Sequence, residues 1–315
     1  MINRRQMMWG STSALLLAAC SNTEEAPAAQ QLLSEKVSFK RAVGQPEVGI
    51  QTYTIREAME EDTPAALRML KEVGYDFVET NDRDFTRMSM DELVAALEDV
   101  GLPVAATHIG FETFMNEPQK AADQANRLGA NYCILSWTPE GFRTTEGYQR
   151  MAERFNTVGE LMLANDLRWA YHNHHFEFWE IDGPRNGMEI YLEETDADKV
   201  WFELDLFWAT LGQEDVAEFF KRYPGRFKLC HIKDMNLRQL PNFNRNGPNA
   251  LDFDEIHKGL MVNVGEGDLP FETWLQMGDV SGMEYLITEH DAPPAPIRDS
   301  VAQMLKTVRS YDLQT

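Results

Sequence analysis

The middle of the chain carries the sequence WAYHNHHFEF, residues 169–178. It begins as an apolar run and ends in three histidines, an amide and a carboxylate. This order predicts a buried strand that opens into a polar site at its carboxyl end. Three later segments end in the same way: FELD at residues 202–205, LCHIKD at residues 229–234 and LITEHD at residues 286–291. Four strands that deliver metal-type ligands from the same end predict a mononuclear metal site at the mouth of a parallel barrel.

Strand and helix signals alternate on both sides of this stretch, from Val48 onward. Short apolar runs predict eight strands, at residues 48–53, 77–80, 104–109, 132–136, 168–172, 200–204, 227–232 and 285–288. Helix starts are indicated by Thr63-Pro64 and by a capping box from Ser89 to Glu92. Helix ends are indicated by Gly74, Gly101 and Gly129. Further helices are predicted at residues 119–128, 148–164, 188–194, 216–223, 271–277 and 297–310.

Eight strand-helix units in about 265 residues predict a (β/α)8 TIM barrel. The alternative is a doubly wound open sheet, which the sequence disfavours because no Gly-rich phosphate loop follows the first strand. An insertion at residues 236–264, rich in Asn, Pro and Arg, follows the seventh strand. In a barrel it would lie over the mouth as a lid.

The first 19 residues predict an export signal rather than structure. Arg4 and Arg5 precede a short apolar segment that ends in LAAC, a sequence typical of a bacterial lipobox. Cys20 is therefore predicted to carry a lipid after cleavage, and NRRQMM at residues 3–8 favours twin-arginine over Sec export. Residues 20–46 are small and polar and predict a tether, and residues 47–315 predict the barrel. The expected location is the periplasmic side of a bacterial membrane, held by the lipid anchor alone.

Composition narrows the classes of partner. The net charge of -22 argues against a nucleic-acid partner, because such a surface repels phosphates. The two other cysteines, Cys133 and Cys230, lie inside apolar runs on strands four and seven, which predicts buried free thiols.

Several short motifs, taken in order, resemble the xylose isomerase-like TIM barrels of the sugar phosphate isomerase/epimerase superfamily. They are GIQTYTIR at 49–56, YHNHHFEF at 171–178, LD at 204–205, HIKD at 231–234, GEG at 265–267 and TE at 288–289. The fifth-strand motif resembles one branch whose members include exported and lipid-anchored proteins. The resemblance implies a divalent metal and a sugar-like substrate. Members of the superfamily isomerise or epimerise ketoses, dehydrate inosose, or eliminate from 3-keto-glycosides.

Four residues are predicted as metal ligands on the strand ends and the resemblance: Glu177, Asp205, His231 and Glu289. Many relatives have a metal-binding Glu directly in strand five, where this chain has His172. Either His172 binds the metal, or Glu177 folds back to do so. A mixed oxygen and nitrogen set suits Mn, Zn, Mg, Co or Fe. Simpler roles compete: a helix cap for Asp205, a core histidine for His231 and a surface charge for Glu289.

Other polar and aromatic residues near the strand ends complete the predicted site. The candidate bases are His108, His174 and Glu79. The candidate substrate contacts are His172, Trp137, Trp208, Lys233 and Glu266, the last in a loop that would close over the ligand. Because side chains alternate along a strand, His172 and His174 face the same side, and His175 faces the barrel wall.

The predicted reaction is removal of a proton from the carbon alpha to a sugar carbonyl, assisted by the metal. Its outcome is isomerisation or epimerisation, or β-elimination from a 3-keto-glycoside. A second hypothesis is a non-catalytic lipoprotein that captures carbohydrate. A third, endonuclease IV-like hydrolysis on the same fold, is disfavoured by the acidity and the export signal. The expected partner is a small-molecule sugar or keto-glycoside, and the sequence makes no prediction of an oligomeric state.

Overall fold

The computed structural model describes residues 46–240 and 253–313. Its strands are β1 (Val48–Gln51), β2 (Phe77–Thr80), β3 (Val104–Ile109), β4 (Tyr132–Leu135), β5 (Arg168–His172), β6 (Val200–Asp205), β7 (Phe227–Ile232), β8 (Asp234–Met235), β9 (Met261–Val262) and β10 (Tyr285–Thr288). Eight of them form a closed parallel barrel in the order β1-β10-β7-β6-β5-β4-β3-β2. The prediction of a (β/α)8 barrel is confirmed, with β10 as the eighth barrel strand.

Helices surround this barrel. The α-helices in the described residues are Arg56–Val73, Asp84–Arg87, Met90–Val100, Phe111–Asn116, Pro118–Leu128, Thr145–Ala164, Gly187–Glu194, Leu206–Leu211, Val216–Arg222, Phe253–Gly259, Phe271–Leu275, Gly278–Ser281 and Ile297–Ser310. Short 3-10 helices lie at Thr52–Ile55, Glu140–Phe142 and Phe176–Phe178. None of the helices in the described ranges has the length and apolar character needed to cross a membrane.

Most helix boundaries follow local sequence signals. The Ser89 side chain accepts a hydrogen bond from the Glu92 backbone, and the Glu92 side chain accepts one from the Ser89 backbone, so the predicted capping box is present. Gly101 ends this helix with a φ of 64°, in the left-handed region where a side chain would be strained.

The start of the first helix was predicted wrongly. The helix runs from Arg56, but Asp62 has non-helical torsion angles (φ -158°, ψ 92°), so a kink divides it. The Asp62 carboxylate accepts a hydrogen bond from the Ala65 backbone at 3.0 Å and caps the second half. Thr63, the predicted cap, instead donates its hydroxyl to the Met59 carbonyl at 2.8 Å. Pro64 still lies in the first turn, where its missing N–H costs nothing.

The barrel interior changes from apolar to polar along the strand direction. Its lower part is an apolar cluster made of Phe77, Ala105, Ala106, Tyr132, Ile134, Ala170, Leu229, Tyr285 and Ile287. Inward side chains recur every second residue, so the next inward positions after Ala170 and Leu229 are His172 and His231. A polar layer therefore lies directly on top of the apolar one, at the carboxyl ends of the strands.

Strands β8 and β9 form a separate antiparallel pair beside the barrel mouth. The predicted lid spans this region, but residues 241–252 lie outside the described part of the chain, as do Cys20 and the predicted signal and tether. Cys133 and Cys230 are buried and unpaired, as predicted.

Candidate metal centre and active site

Polar side chains from six strands meet at the carboxyl end of the barrel. The register between paired strands sets the height of each side chain along the barrel axis: His172 lies opposite Glu203, and Asp205 lies opposite His231. Glu203 and Asp205 are two residues apart on β6, so both point inward and occupy successive levels. The result is two polar clusters that share His231.

The inner cluster lies deeper and consists of Glu79, His108, His172, Glu203 and His231. One Glu203 oxygen lies 2.9 Å from His108 Nε2 and 3.0 Å from His172 Nδ1. Glu79 lies 2.5 Å from His231 Nε2. Its members therefore satisfy each other through carboxylate–imidazole hydrogen bonds, although the second oxygens of Glu79 and Glu203 have no partner.

The mouth cluster lies above it and consists of Asp205, His231, Lys233, Glu289 and Asp291. The Lys233 ammonium lies 3.1 Å from Asp205, 2.8 Å from Glu289 and 3.1 Å from Asp291. His231 Nδ1 lies 2.7 Å from the Glu289 carboxylate. A buried lysine among three carboxylates leaves this cluster rich in negative charge.

Two atoms of the mouth cluster are buried without a hydrogen bond: Asp205 Oδ2 and His231 Nδ1. Both have charged neighbours at ion-pair distance, but none with hydrogen-bond geometry. Their separation is 3.9 Å, and His172 Nε2 lies at the same 3.9 Å from Asp205 Oδ2. Leaving such atoms unpaired in a protein interior is costly, so their convergence fits a bound cation. Asp205, His231 and Glu289 offer ligand atoms close enough to hold one ion, and so do His108, His172, Glu203 and His231 of the inner cluster.

The three central histidines differ in charge. Burial opposes a charged imidazole, but Glu79 and Glu203 outweigh it and raise the pKa of His108 to about 10. Burial lowers the pKa of His231, but Glu203 and Glu289 outweigh it and hold that pKa well above its usual range, so a cation would have to displace a proton to bind this ring. Burial, together with the charges on His231 and His108, holds the pKa of His172 well below its usual range. His172 is therefore neutral, the form in which imidazole binds metals.

A cavity of about 530 Å³ opens above these clusters. Its floor is formed by Gln51, His108, His172, Lys233 and Glu289. Its rim carries four aromatic side chains, Tyr53, Phe111, Trp137 and Phe253, and also His174, Asp82, Arg83, His257 and Asp291. The volume lies in the range typical of small-ligand sites.

The structure brings together most of the residues predicted for the site. Asp205, His231 and Glu289 converge as expected for ligands. Asp205 is also a helix cap, because its Oδ1 accepts a hydrogen bond from the Trp208 backbone at 2.9 Å while Oδ2 points into the site. His108, His172, His174, Trp137 and Lys233 line the cavity.

Glu177 does not join this cluster. Its carboxylate accepts hydrogen bonds from the Tyr171 hydroxyl and, at 2.8 Å, from the His174 backbone. It lies in the 3-10 helix Phe176–Phe178, which carries the side chain behind the barrel wall rather than back into the mouth. Of the two open alternatives for strand five, the structure favours His172.

Three other predicted residues lie away from the cavity surface. Glu79 is fully buried beneath the cavity floor, where it contacts His231 and Gln51. Trp208 is fully buried and packs against Lys233, whose ammonium lies 5.3 Å from the ring centroid. Glu266 is exposed on a neighbouring surface pocket beside Asn263 and Ser300. None of the three is placed to touch a substrate in the main cavity.

Two residues that organise the site were missed in the sequence. Glu203 binds two histidines of the inner cluster, and the available signal was its position two residues before Asp205, on the same strand face. Asp291 joins Lys233 to His257, at 3.1 Å and 3.2 Å. Its place two residues after Glu289 carried a similar signal.

The fold and this site fit one class of protein, the parallel barrels that carry a polar site at the carboxyl ends of their strands. A family model described as xylose isomerase-like TIM barrel matches residues 67–308. The chain belongs to the xylose isomerase-like TIM barrel family.

The individual relatives of this chain have low sequence identity to it. An inosose dehydratase from Clostridium perfringens (strain 13) is 26% identical over 151 residues, which cover 48% of this chain and 49% of that protein. The chain thus spans about half the length of the curated relatives it matches. A sugar phosphate isomerase/epimerase from Parabacteroides distasonis superposes with a TM-score of 0.69 at 23% identity, over 90% of this chain and 99% of that chain. The IOLI protein, solved with a bound zinc atom, superposes with a TM-score of 0.63 at 16% identity, over 85% of this chain and 100% of that chain. At these identities the structures share the fold.

Proposed function

We propose that this chain is a divalent-metal-dependent enzyme that removes a proton from the carbon alpha to a sugar carbonyl, with isomerisation or epimerisation as the outcome. The observation that carries the proposal is the convergence of Asp205 Oδ2 and His231 Nδ1, two buried atoms that make no hydrogen bond, beside Glu289 at the floor of a sugar-sized cavity. The presence of zinc in the related IOLI structure supports a metal here.

The proposed ligands are Asp205, His231, Glu289 and His172. The donor set fits, because two carboxylates and two imidazoles suit Mn, Zn, Mg, Co or Fe. When bound, such an ion supplies Lewis acidity toward a carbonyl and its neighbouring hydroxyl. The Lys233 ammonium adds positive charge beside the same carboxylates and lines the cavity. Its contacts with both carboxylates also hold Asp205 and Glu289 close together.

The proton step balances without an external reagent. A base takes the proton from the carbon alpha to the carbonyl, and the C–H electron pair becomes part of an enediolate. Return of the proton to the former carbonyl carbon, with the neighbouring hydroxyl proton passing to the former carbonyl oxygen, isomerises the sugar. Return of the proton to the opposite face of the alpha carbon epimerises it. His174 is the proposed base, since it lines the cavity, lies outside the proposed ligand set and is kept neutral because burial holds its pKa well below its usual range. His108 also lines the cavity, and its raised pKa suits it to return the proton as the acid. Glu79 and Glu203 would position His108 through its Nε2.

Elimination is a second outcome of the same enediolate. If a leaving group occupies the carbon beta to the carbonyl, the electron pair expels it instead of recapturing the proton. The similarity to inosose dehydratases favours this alternative, because dehydration is elimination of water. A 3-keto-glycoside would lose its aglycone by the same step. A carbohydrate-capturing protein without turnover is the remaining proposal.

The proposed location is outside the cytoplasm, at a membrane to which Cys20 is lipid-anchored. The sequence of residues 1–20 supports it, with its paired arginines, short apolar segment and lipobox. Such a location favours keto-sugars and oxidised glycosides over phosphosugars of the cytoplasm as substrates.

Solvent exchange tests the proposal. We expect metal-loaded protein in deuterated water to place deuterium at the carbon alpha to the carbonyl of a ketose or 3-keto-glycoside, or to release an aglycone. Asp205→Asn should abolish both, whereas Trp201→Phe, at the far end of β6, should leave them unchanged. If no sugar that binds gives either signal, the carbanion chemistry is wrong and the capture role replaces it.

A further inference from the structure

The cavity has two levels with different chemistry. The floor is polar and contains His108, His172, Lys233 and Glu289. The rim is aromatic, and three of its rings follow the same rule: Tyr53, Phe111 and Trp137 each lie two residues beyond the end of a barrel strand. Residues beyond the strand ends lie farther out along the barrel axis than residues within the strands. The rim is therefore an outer level above the floor.

Trp137 is the most exposed member of this rim. It is 38% exposed, and among the described residues only Leu163 and Val280 are other large apolar side chains with comparable exposure. Neither of those two lines the cavity, whereas Trp137 does. An exposed indole in a concave site is an open apolar contact surface.

The Trp137 ring is held in place by its neighbours. The Arg143 guanidinium lies 4.9 Å from the ring centroid and donates a hydrogen bond from Nε to the Thr138 carbonyl at 2.9 Å. The rings of His174 and Phe176 meet it edge to face, at 5.3 Å and 4.9 Å. A fixed ring loses little conformational freedom when a ligand stacks on it, so it can contribute more to affinity.

The cations around the cavity are engaged with other groups, including Arg143, which lies over the Phe176 and Trp137 rings and donates to the Thr138 carbonyl. Lys233 already pairs with three carboxylates, and His257 lies 3.2 Å from Asp291. The Arg83 guanidinium lies 5.5 Å from the Tyr53 centroid and stands next to Asp82 in the cavity lining. An uncharged group with an apolar face suits this rim better than an anion.

We propose that the rim is a second subsite, in which Trp137 stacks against a second, uncharged ring, so that the substrate class is a glycoside rather than a free monosaccharide or a phosphosugar. The inference rests on the proposed function for the reacting sugar, which would occupy the floor. The second ring is either a sugar with its C–H face on the indole or an aromatic aglycone.

Binding of stable probes tests the subsite separately from catalysis. Calorimetric titration of the metal-loaded full chain would compare methyl glucoside, phenyl glucoside, cellobiose and glucose 6-phosphate. We expect one or both two-ring probes to bind at least about ten-fold more tightly than methyl glucoside. Trp137→Ala should remove that difference while changing methyl glucoside affinity less than about two-fold, and Trp137→Phe should retain part of it.

Trp201→Ala is the matched control, because Trp201 is a half-buried tryptophan outside the cavity. It should leave all affinities unchanged. The subsite is refuted if neither two-ring probe is favoured, if Trp137→Ala weakens all probes equally, or if glucose 6-phosphate binds more tightly than methyl glucoside. Deuterium exchange into a methyl 3-keto-glucoside reports the proposed reaction independently. Exchange without a two-ring preference refutes the subsite alone, and the preference without exchange refutes the reaction alone.

Discussion

The two oxygens of the Asp205 carboxylate have different roles. One oxygen caps the helix Leu206–Leu211 through the Trp208 N–H, and the other faces His231 and Lys233. Asp205 is therefore a helix cap through one oxygen, and its other oxygen is free to serve in the proposed metal site. Asn can cap a helix as well as Asp does. The variant Asp205→Asn thus removes the charge while it preserves the local fold.

The position of the Glu177 side chain could not be predicted from the sequence pattern. The spacing from His172 allowed its carboxylate to reach the mouth, but a 3-10 turn begins directly after His175 and directs the side chain behind the wall. A turn of that kind depends on the fit between Tyr171, His174 and the surrounding helices, and local sequence does not encode it. Glu203 was missed because its role depends on contacts with other strands: it binds His108 on β3 and His172 on β5, and the sequence of its own strand does not show these contacts.

The buried Glu177 carboxyl predicts a specific pH dependence. Burial raises its pKa from 4.5 to about 7, despite hydrogen bonds from Tyr171 and the His174 backbone that oppose the shift. Between these values the folded chain holds a proton that the unfolded chain has lost, so the free energy of unfolding falls as pH rises. We expect Glu177→Gln to lack this loss. Its stability relative to wild type should rise by about 2–3 kcal/mol between pH 5 and pH 8.

Urea unfolding at both pH values, in the presence of a chelator, measures this difference without a contribution from metal binding. Glu140→Gln, on an exposed 3-10 helix, serves as the control for the substitution itself. A Glu177→Gln variant whose relative stability does not change with pH would show that the Glu177 carboxyl is already ionised at pH 5.

At the scale of elements, Asp234 organises the loop that carries the GEG motif. Its carboxylate accepts backbone hydrogen bonds from Gly265 at 2.9 Å, Gly267 at 3.0 Å and Leu269 at 3.3 Å. A Cβ at Gly267 would lie 2.2 Å from the same carboxylate, which explains the glycine. The motif was expected to close over a ligand, but in the structure it wraps around Asp234.

We expect Asp234→Ala to lower the free energy of unfolding by about 2–4 kcal/mol, because it removes the acceptor of the buried Met235 and Leu269 N–H groups and of the less buried Gly265 and Gly267 N–H groups. Denaturant titration would measure the loss, and hydrogen exchange should show reduced protection at Gly265 and Gly267. Asp268→Ala is the matched control: its exposed carboxylate accepts one hydrogen bond, from Leu237, and its loss should cost less than about 1 kcal/mol. Equal losses in the two variants would contradict the assigned role of Asp234.

The elements themselves were largely readable from sequence. Each barrel strand combines an apolar run with a polar end, and glycines such as Gly101 mark helix ends through their positive φ, so both signals are local. The start of the first helix cannot be read from the sequence in this way, because Asp62 and Thr63 are both good helix caps. Only the hydrogen bond from the Ala65 backbone to Asp62 distinguishes them.

At the scale of the whole molecule, we propose an exported protein with no nucleic-acid partner, on the strength of the net charge and of the amino-terminal sequence. The net charge of -22 includes the two arginines of the predicted signal, so its removal would make the mature chain more acidic. We predict that Cys20→Ser shifts the protein from the membrane fraction to the soluble periplasmic fraction, or leaves it unprocessed at the membrane with its signal attached. Fractionation and mass determination of the amino terminus check this. Unchanged size and membrane association would contradict the lipid anchor.

Anomalous diffraction from crystals soaked in manganese tests most directly whether one divalent cation binds at the barrel mouth. We predict a single strong peak within bonding distance of Asp205, His231, Glu289 and His172, which persists in Glu177→Gln and disappears in Asp205→Asn. No peak, or a peak at Glu177 or within the inner cluster between His108 and Glu203, would contradict the account.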